Sequence, residues 1–211
     1  MQKKLPSVLQ VSLLVFLTIF GAWLGAGSLN YTGFLLLMAI HISGGLVVSF
    51  LYLQKQSPPC PVSFPRKNMY RTVLAALAAL EITVGMTDIG RWKISLLPSW
   101  LMVPGLLLAA SAYFLWVLCI QAKSEADLSR PYPANPVGPY ASLRYPLAAV
   151  WLLLGLSVPL IIGSGLAFVG FGVALVVVAI MVYDEEHWRY MQFDDYPRYQ
   201  EKVPYKIMPF L

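Results

Sequence analysis

The chain has 211 residues, 58% of them hydrophobic and only 12% charged, with a formal net charge of +5 and a mean hydropathy of +0.67. So little polar surface cannot coat a soluble globule, and almost nothing is left over for a separate soluble domain. The composition predicts an all-α, polytopic membrane helical bundle of about six transmembrane helices, with a cytosolic C-terminal helical extension.

A spanning helix needs about 20 apolar residues to cross roughly 30 Å of hydrocarbon. Six runs approach that length, near 7–29, 31–53, 70–87, 97–121, 146–162 and 166–183. The first follows Lys3 and Lys4, but its apolar stretch is too long for a signal peptide and no small-x-small cleavage site is clear, so it reads as a retained helix. With six spans, only Arg91 and Lys93 fall on one side and every other lysine and arginine on the opposite one. The positive-inside rule makes the crowded side cytosolic. Both termini and the 54–69 and 122–145 loops then face the cytosol, in a bacterial inner membrane or the endoplasmic reticulum. The excess positive charge needs no nucleic acid; anionic lipid headgroups suffice as partners.

Spans one and two form a tight hairpin around Asn30, with Gly33, Gly44 and Gly45 among the small residues available for close helix packing. His41 stands alone on an apolar helix, and a hydrogen bond within the packing is expected for it. The four prolines of QKQSPPCPVSFPRKN, residues 54–68, forbid helix and predict an extended linker. Cys60 in this linker and Cys119 within a span are far apart, so neither a disulfide nor a metal site is expected. Glu81 sits near the middle of span three, where an ionisable group is a candidate for function facing the bundle interior.

The last third is richer. The 122–145 loop is long and aromatic, and it ends at Tyr145-Pro146, where proline suits the first turn of span five. Arg144 therefore lies just outside a helix N-terminus, whose free amides and positive dipole end attract anions, as does a guanidinium fork. Spans five and six reverse at IIGSG, residues 161–165, through Gly163 and Gly165. Ser164 lies twenty residues from both Arg144 and Asp184, so antiparallel helices of equal rise bring Arg144 and Tyr145 level with the acidic run Asp184, Glu185 and Glu186. Span six has no breaker before Pro197 and is expected to run from 166 to 196, about 45 Å and beyond the hydrocarbon. Glu185 is spaced to pair with Arg189. Glu186 points elsewhere, with Tyr190 and Phe193 as same-face neighbours, an arrangement suited to an organic cation. His187, with no identified partner, is read as incidental.

GPYASLRYP at 138–146, then DEEHW, Phe193, Tyr196, Tyr199 and VPYKIMP at 203–209, together resemble the C-terminal signature of the isoprenylcysteine carboxyl methyltransferase family and its phospholipid methyltransferase relatives. LPSWLMVPGLLLAASAYFLW, residues 97–116, resembles the helix before that signature. The resemblance divides the chain into N-terminal spans with their proline-rich loop, 1–96, and a methyltransferase-like membrane domain, 97–211. It implies S-adenosylmethionine-dependent methyl transfer at the cytosolic face, with a tunnel admitting an amphiphilic or lipid-like substrate from the bilayer. Position by position it implies Gly138, Pro139, Tyr140, Tyr145, Pro146 and Glu185 as cofactor-binding residues and Arg144 and Glu186 as catalytic ones, with no metal.

The chain departs from the family pattern in three places. Tyr145 replaces the histidine of Arg-His-Pro, Ala148 and Val150 stand where tyrosine and glycine are usual, and the phenylalanine-glycine step is shortened to Phe193-Asp194-Asp195-Tyr196. A tyrosine hydroxyl replaces one hydrogen bond but not an imidazolium charge. These departures motivate a second reading, a non-catalytic membrane protein that keeps the scaffold to bind a lipid or partner. A nicotinamide-dependent reductase ranks last, because no phosphate-cradling glycine loop is present.

Overall fold

The computed structural model describes residues 31–54, 64–125, 132–133 and 136–207, together with positions 19, 20, 23, 26 and 27. Most of the first predicted span, the hairpin at Asn30, most of the proline-rich linker with Cys60, and the chain ends lie outside the described residues. Among the described residues six α-helices follow one another, with no strand: α1 Thr32–Gln54, α2 Lys67–Thr87, α3 Met102–Glu125, α4 Pro146–Ile162, α5 Ala167–Gln192 and α6 Tyr196–Lys202.

Among the described residues, four helical segments are long and apolar enough to cross a membrane, namely Thr32–Tyr52, Lys67–Trp92, Ser99–Ala122 and Ala167–Gln192. Of the six spans expected, the described residues show these four and one shorter apolar helix, Pro146–Ile162. That helix is α4, whose 17 residues rise only about 25 Å. It is short because it is the hub, packed on α1, α2, α3 and α5 and largely buried. Val150, Leu154, Val158 and Ile161 of α4 share a core with Leu37, Met86, Ala109 and Ala112 of its neighbours. The outer faces of α1, α3 and α5 carry exposed Leu46, Phe50, Leu107, Phe114, Val169 and Val176, as an apolar solvent demands.

Glycine permits the closest approaches, because nothing but its hydrogen lies between two backbones. A Cβ at Gly33 would overlap the carbonyl oxygen of Ile161, and one at Gly44 would stand 2.5 Å from the Tyr113 ring. Gly45, by contrast, faces open space. His41 bonds the Leu37 carbonyl through Nδ1 at 2.9 Å and meets Tyr113 edge-on, the packing role its isolation predicted.

The α4–α5 reversal falls where the glycines placed it. Gly163 is left-handed at φ 87°, and the amides of Gly163 and Ser164 both donate to the Pro159 carbonyl, which closes the helix end. What holds this turn in place is Asp88, one residue beyond the third predicted run. Fully buried, it accepts from the hydroxyls of Ser95 and Ser164 at 2.7 Å each and from the amides of Ile94 and Ser95 at 2.9 and 3.3 Å. Gly165 N and Leu166 N in turn bond Ser95, and Leu97 N bonds the Gly163 carbonyl. One carboxylate thus ties the end of α2 and the lead-in to α3 to the α4–α5 turn.

The predicted helix 166–196 is corrected: α5 stops at Gln192. Phe193 turns extended at φ −138° and ψ 109° to pack edge-on against Tyr132 and Trp188. Asp195 accepts the Tyr132 hydroxyl at 2.6 Å, and Pro197 opens α6 in its first turn. The aromatic contacts and the Tyr132 bond outweigh about one turn of continuous helix.

Replacing Asp88 by alanine leaves two hydroxyls and two amides without their acceptor. Thermal unfolding in detergent should register a loss on the order of 3 kcal/mol, and Asp88→Asn, which keeps one oxygen, a smaller one. A loss below about 0.5 kcal/mol for Asp88→Ala would show that the clasp does not hold the turn.

Candidate functional site

At the end of the bundle opposite Asp88, the α4–α5 hairpin brings Arg144 and Glu186 into a buried ion pair, Nη1 on Oε1. Both residues are more than nine-tenths buried. Glu186 Oε1 also accepts from Gln200 Nε2 at 2.9 Å, and its Oε2 is held by Lys206 Nζ at 2.6 Å. Arg144 Nη2 donates to the Pro204 carbonyl at 3.0 Å. Beside this cluster lies an open cavity of about 420 Å³, lined by Arg144, Tyr183, Glu186, His187, Tyr190, Gln200 and Lys206. Its size falls within the range of small-molecule sites.

The segment after α6 builds one wall. Leu143 and Tyr205 form a parallel bridge, with Arg144 N donating to the Tyr205 carbonyl at 2.9 Å and Tyr145 N to that of Lys206 at 2.8 Å. The amides of Arg144 and Tyr145, just outside the helix N-terminus expected to be receptive to anions, are therefore taken by the chain's own tail. This is a correction with a plain cause: buried N–H groups next to Pro146 need acceptors, and the returning segment supplies them.

Neighbouring carboxylates separate. Asp184, expected opposite Arg144, accepts instead from Arg66 at 3.0 Å and from the Tyr70 hydroxyl at 2.6 Å, while Trp188 meets Phe64; the start of α2 thereby packs on the far end of α5. Glu185 pairs with Arg189 at 2.5 Å, the i,i+4 partner its spacing predicted. The Arg189 guanidinium lies 4.7 Å from the Tyr145 ring centre and 5.9 Å from that of Tyr196, geometry suited to cation–π attraction. Tyr145 and Tyr196 approach hydroxyl to hydroxyl at 3.4 Å. Arg189 is itself buried, and its Nε and Nη1 have no hydrogen-bond partner among the described residues.

Of the residues singled out from sequence, Arg144 and Glu186 line the cavity together. Gly138, Pro139 and Tyr140 form a helical turn, Gly138–Ala141, that packs on α3, with Tyr140 buried against Cys119 and Ala122. Tyr145, Pro146 and Glu185 are not in the cavity lining. Phe193 points to Tyr132, not along Glu186, whereas Tyr190 does line the cavity with it. Glu81 is buried between α2 and α5 beside Gly170 and takes no part. Gln200 and Tyr183 carry no periodic or motif signal that marks them as lining residues, whereas His187 within DEEHW and Lys206 within VPYKIMP fall inside the resembling motifs without being singled out. No cluster of metal-ligating side chains is present among the described residues.

With this geometry in place, comparison with known proteins finds no match to any family model, curated protein or solved structure.

Burial raises the phenols around Arg189. Tyr145 is shifted far above the ordinary range by desolvation, against the opposing pull of the Arg189 charge, and Tyr140 is raised by burial as well. Tyr199 is pushed up to about 12, again chiefly by desolvation. A phenol whose folded value exceeds its ordinary value of 10.0 contributes stability in full below pH 10 and loses it as pH climbs through 12. The Tyr199 hydroxyl has no partner among the described residues, so Tyr199→Phe should leave thermal stability at pH 8 within about 0.5 kcal/mol of the parent. Between pH 10 and 12 the variant should lose less stability than the parent; equal slopes would show that Tyr199 titrates without restraint.

Proposed function

We propose that this chain is an integral membrane S-adenosylmethionine-dependent methyltransferase acting on a small amphiphilic or lipid-like substrate at the cytosolic membrane face. The observation that carries the reading is the buried Arg144–Glu186 pair, drawn from opposite ends of the α4–α5 hairpin to the edge of the 420 Å³ cavity. These are the two residues to which the family resemblance gives the chemistry. Methyl transfer from a sulfonium to an oxygen, nitrogen or sulfur nucleophile needs in-line approach and little else, and orientation alone is worth up to about 7–11 kcal/mol. The cofactor supplies the methyl group. The chain's own task is to orient: Arg144, fixed by Glu186 and the Pro204 carbonyl, offers a rigid donor to an acceptor carboxylate or to the cofactor's carboxylate. Tyr183 and Tyr190, both exposed at the rim, offer apolar faces to an amphiphile.

A non-catalytic binding protein on the same scaffold is the second reading. It is favoured by one specific observation: none of Gly138, Pro139, Tyr140, Tyr145, Pro146 and Glu185 lines the cavity, and Tyr140, Tyr145 and Pro146 are buried in packing.

Calorimetry of the purified protein separates the two readings. Under the enzyme reading both S-adenosylmethionine and S-adenosylhomocysteine bind, and Arg144→Ala and Glu186→Gln each weaken binding at least tenfold or abolish turnover. Absence of binding by either compound sinks the methyltransferase and leaves the binding protein. Parental behaviour in both variants would place the ligand elsewhere.

A further inference from the structure

We infer that Lys206 is a resident counter-cation of the cavity, a specificity-determining residue that competes with any cationic ligand group for Glu186. The identity of the natural ligand rests on the methyl-donor reading; the charge argument does not. Glu186 has one oxygen committed to Arg144 and Gln200 and the other to Lys206. The first partner is immobile, buried and anchored to the Pro204 carbonyl. The Lys206 ammonium is different in kind, because its side chain is 46% exposed on a flexible four-carbon stem.

Charge decides what this does. Among the lining residues, two cations, Arg144 and Lys206, face one carboxylate, Glu186, so with His187 neutral the lining carries one uncompensated positive charge. The two carboxylates that precede Glu186 on α5 are paired elsewhere: Asp184 with Arg66 and Tyr70, and Glu185 with Arg189. As it stands the cavity favours anionic or neutral groups. A sulfonium or ammonium gains Glu186 Oε2 only when Lys206 swings away, so Lys206 lowers affinity for the methyl donor relative to its demethylated thioether.

The backbone keeps the test clean. Tyr145 N donates to the main-chain carbonyl of Lys206, a bond that survives any non-proline side chain at 206, so the tail remains docked in Lys206→Gln. The two probes, S-adenosylmethionine and S-adenosylhomocysteine, differ by one methyl and one positive charge. In Lys206→Gln the ratio of donor to thioether affinity should rise about three- to tenfold over the parent, a modest factor because the ammonium is half solvated. Lys206→Arg should restore the parental ratio. If both compounds bind and the ratio stays within about twofold, Lys206 is a rim residue without influence on specificity, while the methyl-donor reading stands. If neither compound binds the parent, that reading falls, and dodecyl phosphate against dodecyltrimethylammonium in neutral maltoside micelles tests the same charge. The parent should then gain more thermal stability from the phosphate, and Lys206→Gln should lose or reverse that preference. An identical preference in both proteins overturns the inference.

Discussion

A carboxylate buried where two connecting segments meet must collect its hydrogen bonds from the protein. Asp88 does so with four donors from two separate segments, and the rest of the bundle is arranged around that demand. It fixes where α2 ends and how the lead-in to α3 runs. It also sets the height of the α4–α5 turn through Ser164. Because helices are nearly rigid rods with a fixed rise per residue, setting the height at one end sets it at the other. The level at which Arg144 meets α5 is thus established some 25 Å away, on the far side of the bundle.

That remote control explains a small offset. Equal counting from Ser164 pairs Arg144 with Asp184, whereas the guanidinium reaches Glu186, two residues further along. The counting assumes helix throughout, yet residues 163–166 form a turn before Ala167 and Arg144 stands outside α4. The long arginine side chain spans the difference. Asp184 then satisfies itself with Arg66 and Tyr70, and Glu185 with Arg189. Three consecutive carboxylates on one helix point about 100° apart and finish in three environments: one against α2, one in the aromatic cluster, one in the cavity.

Much of this was legible in the linear chain because it rests on local rules. Apolar runs of sufficient length located the helices from α1 to α5. Pro146 and Gly163 marked the two ends of α4, and i,i+4 spacing paired Glu185 with Arg189. The remainder depends on contacts between distant segments that no periodicity encodes. Asp88 looks like an ordinary polar residue at a helix end until Ser95 and Ser164 are brought to it. Phe193 reads as helix until Tyr132, about sixty residues earlier, offers a better place for its ring. Lys206 belongs to a short irregular tail whose position follows from backbone pairing with Leu143, Arg144 and Tyr145. The same pairing takes the two amides just before the helix N-terminus, at the place where the sequence alone suggests an anion.

The two buried arginines carry this reasoning one step further, because they solve the same problem differently. Arg144 is satisfied along its edge, by a carboxylate and a carbonyl. Arg189 has, among the described residues, only Glu185 along its edge and instead lays its face on Tyr145 and Tyr196. A guanidinium tolerates this because its charge is delocalised and its faces are weakly hydrated, so an aromatic ring replaces water there at small cost. The consequence reaches the cavity. Tyr145, pinned beneath Arg189, supplies the amide that docks Lys206, and its neighbour Arg144 supplies the guanidinium that docks Glu186. The arginine with no place in the cavity therefore holds still the stretch of backbone from which both sides of the cavity charge balance are hung.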